Sequence, residues 1–311
     1  MDSSLDGVLV VDKPAGPTSH DIVDRVRRAF GLRRVGHTGT LDPFATGVLA
    51  VCLGKATRLA RFLAEGEKVY RATIRLGFAT TTDDATGEPM GEALAVHLDP
   101  AALQEALTRF SGSFDQVPPA YSAKHVGGRR LYELARRGEA EKATAARMAV
   151  PVTVHAIELL GTSGDLVEIE VRCGPGTYIR ALGRDIGESL GLGGHLAALR
   201  RLRSGAFGLE HAVAADLVVA ASRPSVIPLS GLLEALPAVK VSAEGREAVR
   251  HGRSLGRVLV PSGFPESPFD RVRVLDESGQ LLALAVPRGF GLATPGLPLQ
   301  PVLQPDVVLV D

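Results

Sequence analysis

The residues that could do chemistry fall in three short stretches. In "RVGHTGTLDPFATGVL", residues 34–49, glycines, threonines, His37 and Pro43 surround one carboxylate, Asp42. A lone loop aspartate ordinarily bonds nearby backbone N–H groups as a turn or cap residue. A single histidine is ordinarily a hydrogen-bonded structural group. "GHTGT" lacks the GxxxxGK[ST] spacing and the lysine of a phosphate cradle, and no second carboxylate or histidine recurs nearby at metal-ligand spacing. The other two stretches shift the balance. "EKVYRATIRLG" sets Tyr70 at the head of a strand, and "CGPGTYIRALG" sets Tyr178 and Arg180 where a turn enters a helix. A buried carboxylate needs a partner such as arginine to stay ionised near neutrality, and a flat base stacks on tyrosine. Carboxylate, arginine, tyrosines and a basic rim, brought to one cleft, describe a site for a nucleobase carried on a phosphate backbone.

The elements that must position them are readable from pattern. "GVLVVDKP" is a strand ended by proline, and "TSHDIVDRVRRAF" a helix capped by Thr18 or Ser19 with Ile22, Val23, Val26 and Phe30 on one face. The Asp42 loop follows, then the strand "GVLAVCL" and a helix over about 55–64. "KVYRATIRLGF" alternates, Ala72, Ile74, Leu76 and Phe78 against Arg71, Thr73 and Arg75, as a half-buried antiparallel strand does. "DPAALQEALTRF" is a helix capped by Asp99. "PVTVHAIELLG" and "DLVEIEVRCG" are strands around a Ser-Gly-Asp turn, "TYIRALGRDIGESLG" is a helix, and "GGHLAALRRL" is expected to be a shorter helix. The proline-rich "SRPSVIPLSGLLEALP" marks a boundary, beyond which short strands and Pro/Gly loops predict a small, mainly β domain.

With 311 residues, 45% of them hydrophobic, the chain can bury a sizeable core. Cys52 and Cys173 lie in apolar runs without a CxxC partner, which argues against a zinc site or a disulfide framework and fits a reducing cytosol. The N-terminus carries acids where a signal peptide needs basic residues, and no apolar run reaches the roughly 18–20 residues of a membrane span. A soluble, cytoplasmic protein is therefore expected. The formal net charge is zero, yet its distribution is uneven. Residues 121–150 hold seven Lys/Arg against three Glu, and residues 172–203 hold Arg172, Arg180, Arg184, Arg200, Arg201 and Arg203 against Asp185 and Glu188. Such stretches suit either an anionic partner or a solvated helix face.

Taken together, "LDGVLVVDKPAGPTSHDIV", "GHTGTLDPFATGVL", "EKVYRATIRLG…TTTDDATGE", "VPPAYSAKHVGGRRLYELARRG" and "CGPGTYIRALGRDIGESLG…HLAALRR" resemble the TruB family of tRNA pseudouridine synthases over most of residues 7–205. The resemblance implies a mixed α/β (α+β) pseudouridine synthase fold around a central antiparallel sheet. It also implies a catalytic domain over 1–237 with an RNA-contacting insert near 110–150, followed by a PUA-like RNA-binding domain over 238–311. It makes the chain an isomerase acting on uridine 55 in the T loop of tRNA, with no DNA or membrane partner, as a monomer. Asp42 then matches the family's nucleophile, Tyr70 the tyrosine under the target base, and Arg180 the arginine that pairs with the aspartate. His37 matches the histidine that meets the flipped T-loop region, Tyr178 and Leu199 match further pocket positions, and Asp84 a polar residue near the site. His125 departs from the pattern, standing where an apolar residue is usual.

The chemistry suits the residues. Making pseudouridine breaks the N1–C1′ bond, turns the base and joins C5 to C1′. Nothing is oxidised and no group is imported, so neither a redox cofactor, a metal nor ATP is expected. The carboxylate can act covalently or take a sugar proton. The two rival classes are an RNA-binding or chaperoning module without turnover and a carboxylate-dependent hydrolase. Binding alone needs no carboxylate, and paired-carboxylate hydrolysis wants a second acid at a defined distance, for which Asp84 is the one candidate.

Overall fold

A computed structural model describes residues 5–120, 125–126, 129–130, 148–220, 224–265, 270–289 and 301–310. Strand β1 (Gly7–Lys13) is almost wholly buried, and Thr18 caps helix α1 (Ser19–Phe30) through a capping box with Asp21. Ile22, Val23 and Val26 face the core, as their spacing requires. β2 (Val35–His37) and β3 (Thr46–Leu53) bracket the Asp42 loop. A 3₁₀ turn over Gly54–Leu59 leads into helix α2 (Ala60–Ala64). β4 (Lys68–Leu76) alternates buried and open positions, and helix α3 (Pro100–Arg109) starts at the Asp99 cap. β5 (Gly112–Gln116), β6 (Val150–Ser163) and β7 (Leu166–Cys173) follow, then helix α4 (Ile179–Ser189) and strand β8 (Gly194–Ser204).

These strands form one large sheet in the order β1-β3-β8-β4-β7-β6-β5. All neighbours pair antiparallel except β3 and β8, which run parallel. One face of β4 and β7 packs Ala72, Ile74, Leu76, Val167, Ile169 and Val171 against Ile179, Leu182 and Ile186 of α4 and against Leu103 and Leu107 of α3. Helix α4 thereby fixes where Arg180 emerges. The other face of β4 carries Arg71 and Arg75 outward, where they pair with Glu168 and Asp165.

Residues 194–203 correct the expectation of a helix. "GGHLAALRRL" is rich in good helix formers, but β4 pairs with this segment along its length and β3 pairs with Arg200 and Arg201, and that pairing outweighs local propensity. The basic run over 172–203 is likewise no single anion-binding face. Arg180 and Arg201 are buried, while Arg172, Arg184, Arg200 and Arg203 pair with Glu67, Asp83, Asp12 and Glu210. The basic stretch at 121–150 lies largely outside the described residues.

A second sheet of four strands, β9 (Ala238–Lys240), β10 (Val272–Leu275), β11 (Leu281–Arg288) and β12 (Val302–Val308), packs around helix α5 (Ala243–Arg250). Leu281, Leu284, Val307 and Leu309 of this lobe share a core with Leu59, Phe62, Leu63 and Phe207 of the first. The guanidinium carbons of Arg61 and Arg271 each lie 4.5 Å from the Phe62 ring, and both arginines bond Asp306, at 3.1 and 3.0 Å. Among the described residues no helix is long and apolar enough to cross a membrane.

Candidate active site

The Asp42 loop is pinned at several points. The Ser19 hydroxyl donates to the Leu41 carbonyl at 3.0 Å and accepts from the Leu41 N–H at 2.8 Å. Lys13, at the end of β1 and fully buried, donates to the carbonyls of Pro14, Pro17 and Pro43 at 2.9, 2.8 and 3.2 Å. The Arg201 guanidinium donates to the carbonyls of Val48, Gly39 and Thr40 at 2.7, 3.1 and 3.4 Å. Gly47 makes this approach possible. Its φ is +101°, and a Cβ there would stand 2.2 Å from the Arg201 carbonyl oxygen.

Asp42 meets Arg180 as a two-point pair, Nε to Oδ2 at 2.9 Å and Nη2 to Oδ1 at 3.2 Å. Such a fork fixes the plane of the carboxylate as well as its place. Arg180 is itself held: Nη1 donates to the Thr82 carbonyl at 3.0 Å and lies 3.5 Å from the Asp84 carboxylate. Asp84 Oδ1 in turn accepts from the Thr82 hydroxyl at 2.7 Å and from the Thr86 N–H at 2.9 Å. A third of the Asp42 side chain stays open while Arg180 and Asp84 are nearly sealed, so the carboxylate is the exposed end of a buried polar chain. Burial pushes the Asp42 carboxyl up from its ordinary value; Arg180 opposes that, Asp84 adds to it, and Lys13 opposes it.

A cavity of about 290 Å³ opens beside this pair. Asp42, Tyr70, Tyr178, Arg180 and Leu199 line it, together with Lys68 and Arg201. Gln116 clamps the Tyr178 backbone, donating to its carbonyl at 3.0 Å and accepting from its N–H at 2.8 Å. Burial raises the Tyr70 hydroxyl above its ordinary value, and the charge of Arg201 pulls it back. Five of the seven residues singled out from sequence thus share one cavity, and Asp84 joins them through Arg180. His37 does not line the cavity. It sits half-buried on β2, its Nδ1 without a hydrogen-bond partner among the described residues, and burial lowers its basicity.

Lys13, Lys68 and Arg201 were not legible as site residues. A strand reading of 194–203 would have found Arg201, which shares a face with Leu199. Lys68 has the parity of Tyr70 on β4, a signal visible in the alternation itself. Among the described residues no group of three or more His, Cys, Asp or Glu is arranged to hold a metal ion.

A carboxylate paired with a buried arginine, on the wall of a cavity that two tyrosines also line beside a mostly antiparallel sheet, has the make-up of an enzyme's active site. Comparison with known proteins narrows the class. Residues 27–179 match the model of the TruB family pseudouridylate synthase N-terminal domain, and residues 180–225 that of the tRNA pseudouridylate synthase B C-terminal domain. The chain is 47% identical over 289 residues to a protein of Thermobifida fusca named tRNA pseudouridine synthase B, covering 90% of this chain and 94% of that one. It is 42% identical over 286 residues to the protein of that name from Burkholderia pseudomallei, covering 91% and 93%. Among solved structures it resembles a Cbf5-Nop10-Gar1 complex, with a TM-score of 0.72 at 28% identity, covering 98% of this chain and 85% of that one. An H/ACA RNP bound to a substrate RNA containing 2′-deoxyuridine gives 0.71 at 26%, with the same coverage. The chain belongs to the TruB family of pseudouridylate synthases, and is an enzyme of the isomerase class.

Proposed function

We propose that this enzyme isomerises uridine 55 in the T loop of tRNA to pseudouridine, acting as a monomer in the cytoplasm, with Asp42 as nucleophile and the target base stacked on Tyr70. The observation that carries the reading is the Asp42–Arg180 fork at 2.9 and 3.2 Å on the wall of a cavity that Tyr70 also lines. The target nucleoside leaves the stack, and tyrosine offsets part of the lost stacking. Arg180 offsets part of the push of burial on Asp42 and fixes the plane of its carboxylate toward the cavity. Whether a carboxylate oxygen bonds C1′ or takes the C2′ proton, the carboxylate is required. Residues 238–311 supply a PUA-like RNA-binding surface, and His37 meets the T-loop region outside the cavity. Asp84 is spent on Arg180, Thr82 and Thr86 and does not line the cavity, which speaks against a hydrolase that needs it as a second acid.

The test is a single-turnover assay of wild type and Asp42→Asn on one T-arm stem-loop. Asn keeps the size and most loop hydrogen bonds while removing the charge and the nucleophilic oxygen. The variant is expected to bind the RNA with similar affinity and form no detectable pseudouridine. Turnover by Asp42→Asn would end the reading, and release of free uracil by the wild type would favour the hydrolase.

A further inference from the structure

The cavity is surrounded by more buried positive charge than its acids balance. Lys13, Lys68, Arg180 and Arg201 are all buried, and the carboxylates among them are Asp42 and Asp84, both engaged by Arg180. Lys68 Nζ instead donates to the carbonyls of Ala64 and Gly66 at 2.8 and 2.9 Å, and Arg201 to the three carbonyls of β3 and the Asp42 loop. Neither forms an ion pair with a carboxylate among the described residues. Burying a cation without an anion is costly, and folding alone would be served better by apolar side chains. Strand register gives the arrangement its geometry. Lys68 and Tyr70 lie two apart on β4 and so share a face, and Arg201 stands directly across from Tyr70 on β8. All three line the cavity. The two cations therefore flank the tyrosine from two sides.

We propose that Lys68 and Arg201 are catalytic residues that stabilise negative charge on the pyrimidine as it detaches from the ribose. The proposal rests on the uridine-isomerising reading above. When the C1′–N1 bond breaks, its electron pair stays with the base and spreads over N1 and the ring carbonyl oxygens, while Asp42 either bonds C1′ or takes the C2′ proton. The base turns and C5 bonds C1′, displacing the Asp42 carboxylate from C1′ in the first route or with Asp42 returning the proton to C2′ in the second; the C5 proton then leaves and N1 takes one up. Between these steps the base is an anion without a covalent tether, and two fixed cations beside its platform hold it and lower the barrier to its departure. Arg180 serves the carboxylate; Lys68 and Arg201 serve the leaving group.

Single-turnover loss of the N-glycoside at saturating enzyme tests this, on stem-loops carrying uridine or 5-fluorouridine at the target. Fluorine withdraws electron density and stabilises the base anion, and the first bond cleavage does not need the C5 substituent to leave. Lys68→Met should slow the uridine substrate by about 10²-fold and the fluorinated one by clearly less. Arg201→Lys, which keeps the charge, should retain more activity than Arg201→Gln. The ratio of the two substrates is taken within each protein, so a partly misfolded fraction cancels; Lys68→Gln gives the same ratio should the Met variant aggregate. Equal losses on both substrates would make these residues merely structural. An unchanged rate at saturation with weakened binding would make them phosphate contacts. Either result overturns the proposal, whereas a wild type without turnover on uridine would overturn the functional reading itself.

Discussion

At the scale of single residues, Lys13 shows how burial becomes a pH dependence. Burial pulls its ammonium down to about 8, with Arg201 acting the same way and Asp42 and Asp21 opposing. A neutral amine has two N–H groups for the three carbonyls it now holds, and the longest bond, to Pro43 next to Asp42, is the first to go. Turnover should therefore fall above about pH 8. Stability should move the other way. The unfolded lysine keeps its proton up to 10.5, so between the two values the unfolded chain binds more protons, and this group's contribution to stability rises with pH. A pH–rate profile read beside thermal melting checks both signs, and the same basic limb in Lys13→Met would assign it to another group. Asp42, pushed up by burial, sets the acid limb above the ordinary carboxylate range. For Tyr70, Phe keeps the ring and loses the hydroxyl, while Ala loses both. If the hydroxyl moves a proton, Tyr70→Phe should slow single-turnover chemistry by about 10²–10⁴-fold, and that is the outcome expected. Phe near wild type beside a slow Ala variant would leave the ring as a platform only.

At the scale of elements, the outline of the site was legible because its loops sit at the ends of strongly patterned segments. The alternation of β4 placed Tyr70, and the glycine-rich turn before α4 placed Arg180. What failed was β8. Its alanines, leucines and arginines favour a helix locally, and only the two partner strands make it extended. Arg201 was hidden for the same reason, whereas Lys13 and Lys68 lie on strands that were legible and were passed over because a lysine ordinarily reads as surface. Gly47 tests the junction. Gly47→Ala puts a side chain in the left-handed region and against the Arg201 backbone, which should cost at least about 1–3 kcal/mol in urea unfolding. It should also slow turnover, because β3 and β8 carry the loop and Arg201 respectively. A variant with unchanged midpoint and rate would show that the parallel contact is not needed.

At the scale of the whole molecule, the second sheet begins at Ala238 and has a core of its own around Val239, Val249, Val274 and Leu282, yet another core is shared by both lobes. Phe62 lies among side chains of both lobes and between two arginines that share Asp306. Phe62→Ala is expected to cost about 3–5 kcal/mol and to lower one cooperative melting transition, with no second transition for residues 238–311. Calorimetry decides it: two separate peaks would make the lobes independent. Because a chain cut at residue 237 would expose Phe62, Leu59 and Leu63, the RNA-binding role proposed for the second lobe is better tested by substituting its outer arginines than by truncation.

The sheet order has a consequence for how the enzyme comes into being. β8 lies between β3 and β4, yet it is synthesised long after both. Without it, β3 and β4 lack the neighbour they share, β3 following the Asp42 loop and β4 carrying Tyr70. Open edges invite mispairing, so this late strand both closes that hazard and joins the strand that follows the Asp42 loop to the one that carries Tyr70. Completing the sheet and completing the cavity therefore both wait on residues 194–204, whose Leu199 and Arg201 line it.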